Sequence, residues 1–123
     1  MKKLAILLSV LFVFTSCSNQ PVEFECVGNS LADIKLILQP NKAFKVEFQA
    51  FEIDEEKLNF TGEWTIKENF YELTFNQEKA PDLQALFDKN YDNGSFEVLD
   101  KRRVKFKTDS RELIIWGIPC ERK

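Results

Sequence analysis

Apolar and polar side chains alternate along most of the chain after residue 21. In one such stretch Phe44, Val46 and Phe48 point one way, and Lys45 and Glu47 point the other. A period of two is typical of a β-strand with one buried face. The pattern predicts about eight strands, at residues 22–26, 34–38, 44–53, 58–66, 71–75, 96–98, 104–108 and 113–118.

The period changes once, after Pro81. Leu83, Leu86 and Phe87 are spaced as on one face of an amphipathic helix, and proline suits the first helical position. We therefore expect one short helix around residues 81–91, plugging a barrel end or packing across an opening. Tight turns elsewhere predict a mainly β fold, a single antiparallel meander curled or closed as a barrel.

The fourth and the last of the expected strands each carry a more specific prediction. Gly62 interrupts the fourth strand, where glycine indicates a bulge or close packing under a neighbouring side chain. The last strand, Leu113–Ile118, is apolar at consecutive positions, so we expect both of its faces to be covered. Pro119 should end this strand just before Cys120.

The inward positions of these strands hold many aromatic residues. A packed core is the simpler interpretation, although a barrel of eight strands can also enclose one small ligand. The candidate ligand-binding residues are Phe48, Phe60, Trp64 and Phe106. Phe51 and Phe70 fall off the inward pattern and are expected to form exposed contact surface.

The residue inventory argues against catalysis. The chain contains no histidine and only four widely spaced glycines, so neither a nucleophile–base pair nor a phosphate loop is expected. We expect no enzyme activity, no cofactor and no metal site. One basic cluster spans residues 101–107 and has two interpretations: a small positive patch, or a solvated hairpin balanced by acidic loops.

The first seventeen residues resemble the signal of bacterial lipoproteins. Lys2 and Lys3 precede an apolar run, Leu4–Phe14, that is too short to span a bilayer. Phe14-Thr15-Ser16-Cys17 then resembles a lipobox. The resemblance implies cleavage before Cys17 and acylation of that residue, for example with palmitate. It divides the chain into a signal peptide (1–16), a lipidated tether (17–21) and a domain (22–123).

This division bears on the remaining cysteines and on the charge. With Cys17 acylated, Cys26 and Cys120 are the remaining thiols in an oxidising compartment, and we expect a disulfide between them. Two unpaired buried thiols are the alternative.

Residues 17–123 hold fifteen basic and twenty acidic side chains, a net charge of −5. That balance argues against nucleic acid as a partner and leaves attachment to the lipid bilayer to the acyl chains.

The domain itself is similar to the calycin class, which includes the lipocalins. The similarity spans roughly residues 34–118 and depends on the meander rhythm with Gly62-Glu63-Trp64 and Trp116-Gly117. It implies a barrel that can carry a small apolar ligand. The sequence therefore leaves two functions: a non-catalytic interaction module that binds an envelope protein, or a lipocalin-like carrier. Ser18 after Cys17 implies, by resemblance to enterobacterial lipoproteins, the outer membrane, on either face.

Mass spectrometry of the full-length protein, purified from its own membrane under native conditions, tests these expectations together. We expect the mass of acyl chains on Cys17, the loss of two hydrogen atoms for a Cys26–Cys120 bond, and any retained ligand as an added mass. A mature protein that still carries Met1 would overturn the predicted attachment to a membrane.

Overall fold

The computed structural model describes residues 20–26, 31–51, 57–91 and 94–123. It is mainly β, a curled half-barrel with one short helical segment, as the sequence predicts. The strands are β1 (Val22–Cys26), β2 (Ala32–Leu38), β3 (Ala43–Ala50), β4 (Leu58–Lys67), β5 (Phe70–Phe75), β6 (Glu97–Val98), β7 (Arg103–Lys107), β8 (Glu112–Ile115) and β9 (Ile118–Arg122). The helix α1 (Leu83–Leu86) lies between β5 and β6, flanked by 3₁₀ turns at Gln77–Lys79 and Lys89–Tyr91.

All nine strands belong to one antiparallel sheet, in the order β6-β7-β5-β4-β3-β2-β1-β9-β8. Strands β1 to β5 form a simple meander. The β2–β3 turn shows why: Lys42 has a φ of 73°, and the amide of Lys42 donates to the Gln39 carbonyl at 3.1 Å. Such turns bring consecutive strands side by side and fix their register.

The connection between β7 and β8 requires the sheet to curl. These strands are seven places apart in the sheet, about 34 Å if it were flat. Residues 108–111 join them, and a link of that length reaches about 17 Å at most. The two sides of the sheet must therefore approach each other. Accordingly, the rings of Phe24 on β1 and Phe106 on β7 meet edge to face across the interior, with centroids 5.4 Å apart.

The core fills the concave side of this sheet. Alternate residues of the strands are buried there, together with side chains of the segment between β5 and β6. The largest fully buried side chains are Phe24, Phe44, Phe75, Phe87 and Phe106, with Ile34, Leu36, Leu38, Leu73, Leu113 and Ile115. Strand β4 extends past this core at both ends, so Leu58 and Ile66 are exposed although they alternate with the inward residues Phe60 and Trp64.

The half-barrel has two distinct ends. At one end, here called the tether end, lie Val22 and the turns at residues 39–42, 67–70 and 108–111. At the opposite end, here called the loop end, lie Cys26, Ala50, Leu58 and the turn at residues 116–117. The expected tether (17–21) enters at the tether end. Cys17 itself lies outside the described residues.

The prediction of a single last strand at Leu113–Ile118 is wrong. Trp116 and Gly117 form a two-residue turn with φ angles of 54° and 74°, and they separate β8 from β9. Pro119 does not end the ladder: it lies within β9 opposite Ile114. The run is apolar throughout because both strands of this hairpin contribute side chains to the core.

The structure joins Cys26 and Cys120 by a disulfide bond. The two residues are 94 positions apart in sequence, and they are neighbours because β9 pairs with β1. For a loop of about 95 residues, chain entropy gives a stabilisation of about 4 to 5 kcal/mol. The bond does not join the two sheet edges, since β8 lies beyond β9. Within the described strands, the sheet edges are β6 and β8.

Gly62 shows the close packing that the sequence predicts. The ring of Phe44 lies over it: a Cβ added at this position would be 2.6 Å from Phe44 Cε1. The same Cβ would be 2.1 Å from the carbonyl oxygen of Thr74 on the neighbouring strand. Backbone on one side and a fully buried ring on the other leave no room for a side chain.

We therefore expect Gly62→Ala to lower the free energy of unfolding at the upper end of the overpacking range, by about 3 kcal/mol. Thr65→Ala, at an exposed position of the same strand, should cost less than about 1 kcal/mol. Urea unfolding of both variants gives the comparison. Equal stability of the two variants would contradict the close packing at Gly62.

Candidate functional site

The loop end carries most of the exposed apolar surface of the described residues. The described residues include seven exposed large apolar side chains. Five of them lie at the loop end: Leu31, Phe51, Leu58, Tyr91 and Trp116. Of the other two, Ile66 lies at the tether end and Leu99 in the β6–β7 turn. Concentration at one end, rather than scatter, is typical of a binding surface.

Two grooves open at the loop end, one on each side of Trp116. The first, here called the apolar groove, has a volume of about 180 Å³. It is lined by Phe48, Leu58, Phe60, Pro81, Asp82, Ala85, Leu86 and Trp116. The second, here called the acidic groove, has a volume of about 300 Å³ and is lined by Leu31, Ala85, Asp88, Tyr91 and Trp116. Trp116 and Ala85 line both grooves and form the ridge between them.

Trp116 is held in place through its backbone and its ring. Its amide donates to the carbonyl of Leu86 at 2.5 Å, which ties the β8–β9 turn to the end of α1. Its ring meets that of Phe48 edge to face, with centroids 5.0 Å apart. The indole is nevertheless 40% exposed. A tryptophan with positive φ is an unfavourable turn residue, since asparagine and glycine adopt this conformation at lower cost.

The segment of α1 closes the core below these grooves. Asp82 caps the helix, with Oδ1 accepting from the amide of Gln84 at 3.1 Å. Leu83, Leu86 and Phe87 point into the core, as their spacing predicts. Tyr91, on the following 3₁₀ turn, is instead 58% exposed.

The four predicted ligand-binding residues do not share one pocket. Phe48 and Phe60 line the apolar groove. Trp64 and Phe106 are buried in the core, and each contacts the ring of Tyr71, with centroid distances of 5.7 and 5.4 Å. The Trp64 indole is further fixed by a 2.8 Å hydrogen bond from Nε1 to the carbonyl of Gln39.

Trp116, Tyr91 and Leu86 were not expected at the site. The dipeptide Trp116-Gly117 between two apolar runs is a weak turn signal. Glycine readily adopts positive φ, but tryptophan is uncommon in such turns. Of the two residues expected to be exposed, Phe51 is 49% exposed. Phe70 is half-buried beneath Lys105, whose Nζ lies 4.3 Å from the ring centroid.

Two of the five cations of the basic cluster at residues 101–107, Arg103 and Lys105, pair with carboxylates. Arg103 contacts Asp100 at 2.6 Å and Glu72 at 3.0 Å, and these hydrogen bonds raise the pKa of its guanidinium. Hydrogen bonds from the Arg102 amide and the Arg103 side chain lower the pKa of Asp100. Lys105 pairs with Glu97 at 3.3 Å. The solvated hairpin is therefore the better description.

A larger groove of about 830 Å³ separates residues 77–84 from the β6–β7 turn. Its lining mixes apolar side chains with the charged groups of Asp82, Asp100, Lys101 and Arg102. Arg102 Nε donates to the Phe75 carbonyl at 3.0 Å, and Asp100 pairs with Arg103. This groove offers solvated polar surface, whereas the loop end offers exposed rings.

Within the described residues, no group of three or more Cys, Asp or Glu side chains is arranged to hold a metal ion. The same part of the chain has no helix with the length and apolar character needed to cross a membrane. Comparison with protein-family models, with curated proteins and with solved structures finds no match to this chain.

The position of Trp116 predicts that its side chain can be removed without unfolding the protein. We expect Trp116→Asn to change the free energy of unfolding by less than about 1 kcal/mol, because asparagine favours the left-handed turn and offsets the lost contact with Phe48. Trp64→Ala, the matched change at a buried tryptophan, should cost about 3 to 5 kcal/mol. Urea unfolding followed by circular dichroism gives both values, and a large loss for Trp116→Asn would show that the ridge belongs to the core.

Proposed function

We propose that this protein is a lipid-anchored protein of the bacterial envelope whose domain binds a partner protein at the loop end. The supporting observation is the cluster of five exposed apolar side chains at that end. Tryptophan and tyrosine, both present here, are enriched in protein–protein contacts. The chain's lack of histidine argues for binding rather than catalysis.

The position of the tether supports this proposal. Acyl chains on Cys17 would lie within a few residues of Val22, and five residues reach about 17 Å at most. The tether end would therefore lie near the bilayer. The loop end, at the other end of the strands, would face away from the membrane and be accessible to a partner. Outer-membrane attachment is part of the proposal and follows from the resemblance at Cys17-Ser18.

A lipocalin-like carrier is the second candidate. The curled half-barrel is compatible with a calycin-like fold, and Phe48 and Phe60 line a groove. That groove has a volume of about 180 Å³. Pockets for drug-sized ligands measure about 300 to 1,000 Å³. The small volume of the groove that Phe48 and Phe60 line, and the burial of Trp64 and Phe106 in aromatic contacts, favour a docking surface over a carrier cavity.

Site-specific photocrosslinking in the bacterium of origin tests the proposal. The photoreactive residue p-benzoylphenylalanine replaces Tyr91 in the full-length, lipidated protein. The matched control carries it at Ile66, which is similarly exposed but lies at the tether end. We expect a discrete protein adduct from position 91 and none from position 66. The adduct should disappear when Trp116→Asn is added.

An absence of adducts at position 91, or the same adducts from both positions, would refute docking at the loop end. A small-molecule mass retained by the purified protein, and lost in a Phe60→Ala variant, would instead favour the carrier.

A further inference from the structure

We infer that the acidic groove receives a lysine or arginine side chain of the partner, while an apolar side chain of the same segment occupies the apolar groove. This inference rests on the proposed function and names the chemistry of the partner: an extended basic peptide segment. The charge, the aromatic rings and the shared lining of the two grooves each support it.

The first observation is an acidic group without a cationic partner beside exposed rings. Asp88 is half-buried in the acidic groove, and its Oδ1 accepts from the amide of Asn90 at 2.9 Å. Asp82 lines the apolar groove on the other side of the ridge. Among the described residues, neither carboxylate forms an ion pair with a lysine or arginine.

The second observation is the pair of rings that flank this carboxylate. Trp116 and Tyr91 both line the acidic groove. The Tyr91 ring lies against the turn next to Trp116: a Cβ added at Gly117 would be 3.4 Å from Tyr91 Cδ2. Ring faces attract cations, and tryptophan does so most strongly. A lysine or arginine side chain would contact rings and carboxylate together, whereas a carboxylate ligand would be repelled.

The third observation concerns spacing. The two grooves share Ala85 and Trp116, so a ligand that crosses this ridge can occupy both. In an extended peptide, side chains two residues apart lie on the same face, about 6.6 to 6.8 Å apart along the chain. Because the two grooves share Trp116 and Ala85 and so adjoin each other, we assign the motif this shortest same-face spacing. The partner motif is therefore an apolar residue followed, or preceded, two positions away by a basic residue.

The overall charge adds long-range attraction. Residues 17–123 carry a net charge of −5. A field of this sign raises the rate at which a basic segment arrives and disfavours acidic ones. Within the basic cluster at residues 101–107, Arg103 and Lys105 are paired with carboxylates, which offsets part of its charge.

Titration of the full-length protein with short peptides tests the inference. The probe is acetyl-Gly-Phe-Ser-Arg-Gly-amide, and the controls replace its arginine with glutamate or its phenylalanine with alanine. The readout is the indole N–H signal of Trp116 in nitrogen–proton NMR spectra. Trp64 is an internal reference, because its Nε1 is hydrogen-bonded to Gln39 away from both grooves.

We expect the arginine peptide to shift the Trp116 signal, and both control peptides to bind more weakly. Asp88→Asn keeps the oxygen that caps Asn90 but removes the charge, and it should weaken binding about three- to fivefold. Asp109→Asn, which removes a charge at the tether end, should leave binding unchanged. Equal binding of the glutamate peptide, an unaltered affinity in Asp88→Asn, or no binding of any peptide up to about 10 mM would overturn the inference.

The two proposals fail separately. If none of the peptides binds but position 91 still crosslinks a partner, the docking surface stands and the basic motif is wrong. If position 91 also gives no adduct, the docking surface itself is refuted.

Discussion

The pairing of the first strand with the last organises the rest of the structure. In the hydrogen-bonded sheet, the β8–β9 hairpin is attached through β1, by the pairs Phe24–Arg122 and Glu25–Glu121 and by the disulfide one step further. This pairing fixes one side of the hairpin. The hydrogen bond from Trp116 to Leu86 fixes its tip against α1. Both grooves at the loop end exist because these two attachments hold the Trp116 ridge between β3 and the helical segment.

The two ends of the half-barrel meet different physical demands. The tether end closes with short turns, such as the one in which the amide of Lys42 donates to the carbonyl of Gln39. The loop end leaves rings in contact with water and holds a tryptophan at positive φ. Both features cost free energy that a purely structural turn would avoid. The disulfide and the aromatic core supply the stability that permits such an end.

Strand alternation explains how much of this could be predicted from sequence. Alternation shows which face of the sheet each side chain occupies, so the sheet, the core and the close packing at Gly62 could be predicted from the sequence. It does not give height within the barrel. Phe48, Phe60, Trp64 and Phe106 all face inward. The first two nevertheless line a groove at the loop end, and the last two are buried in the core.

The site also depends on contacts that local sequence cannot reveal. Trp116 lies in an apolar run whose turn is signalled only by Gly117. The position of the hairpin beside β1 follows from a pairing across almost the whole domain. Tyr91 reaches the site because the segment between β5 and β6 crosses the loop end. None of these neighbours is close in sequence to Phe48 or Phe60.

The β1–β9 pairing has a consequence for the order of folding. Strands β1 to β5 can assemble from hairpins between consecutive elements, whose loops close at low entropic cost. One side of β1 has no partner until β9, nearly a hundred residues later, is present. An incomplete chain therefore exposes an open strand edge, the feature that promotes association between chains. Chaperones that keep the first strand apart from other copies until the last strand pairs with it would therefore favour correct folding.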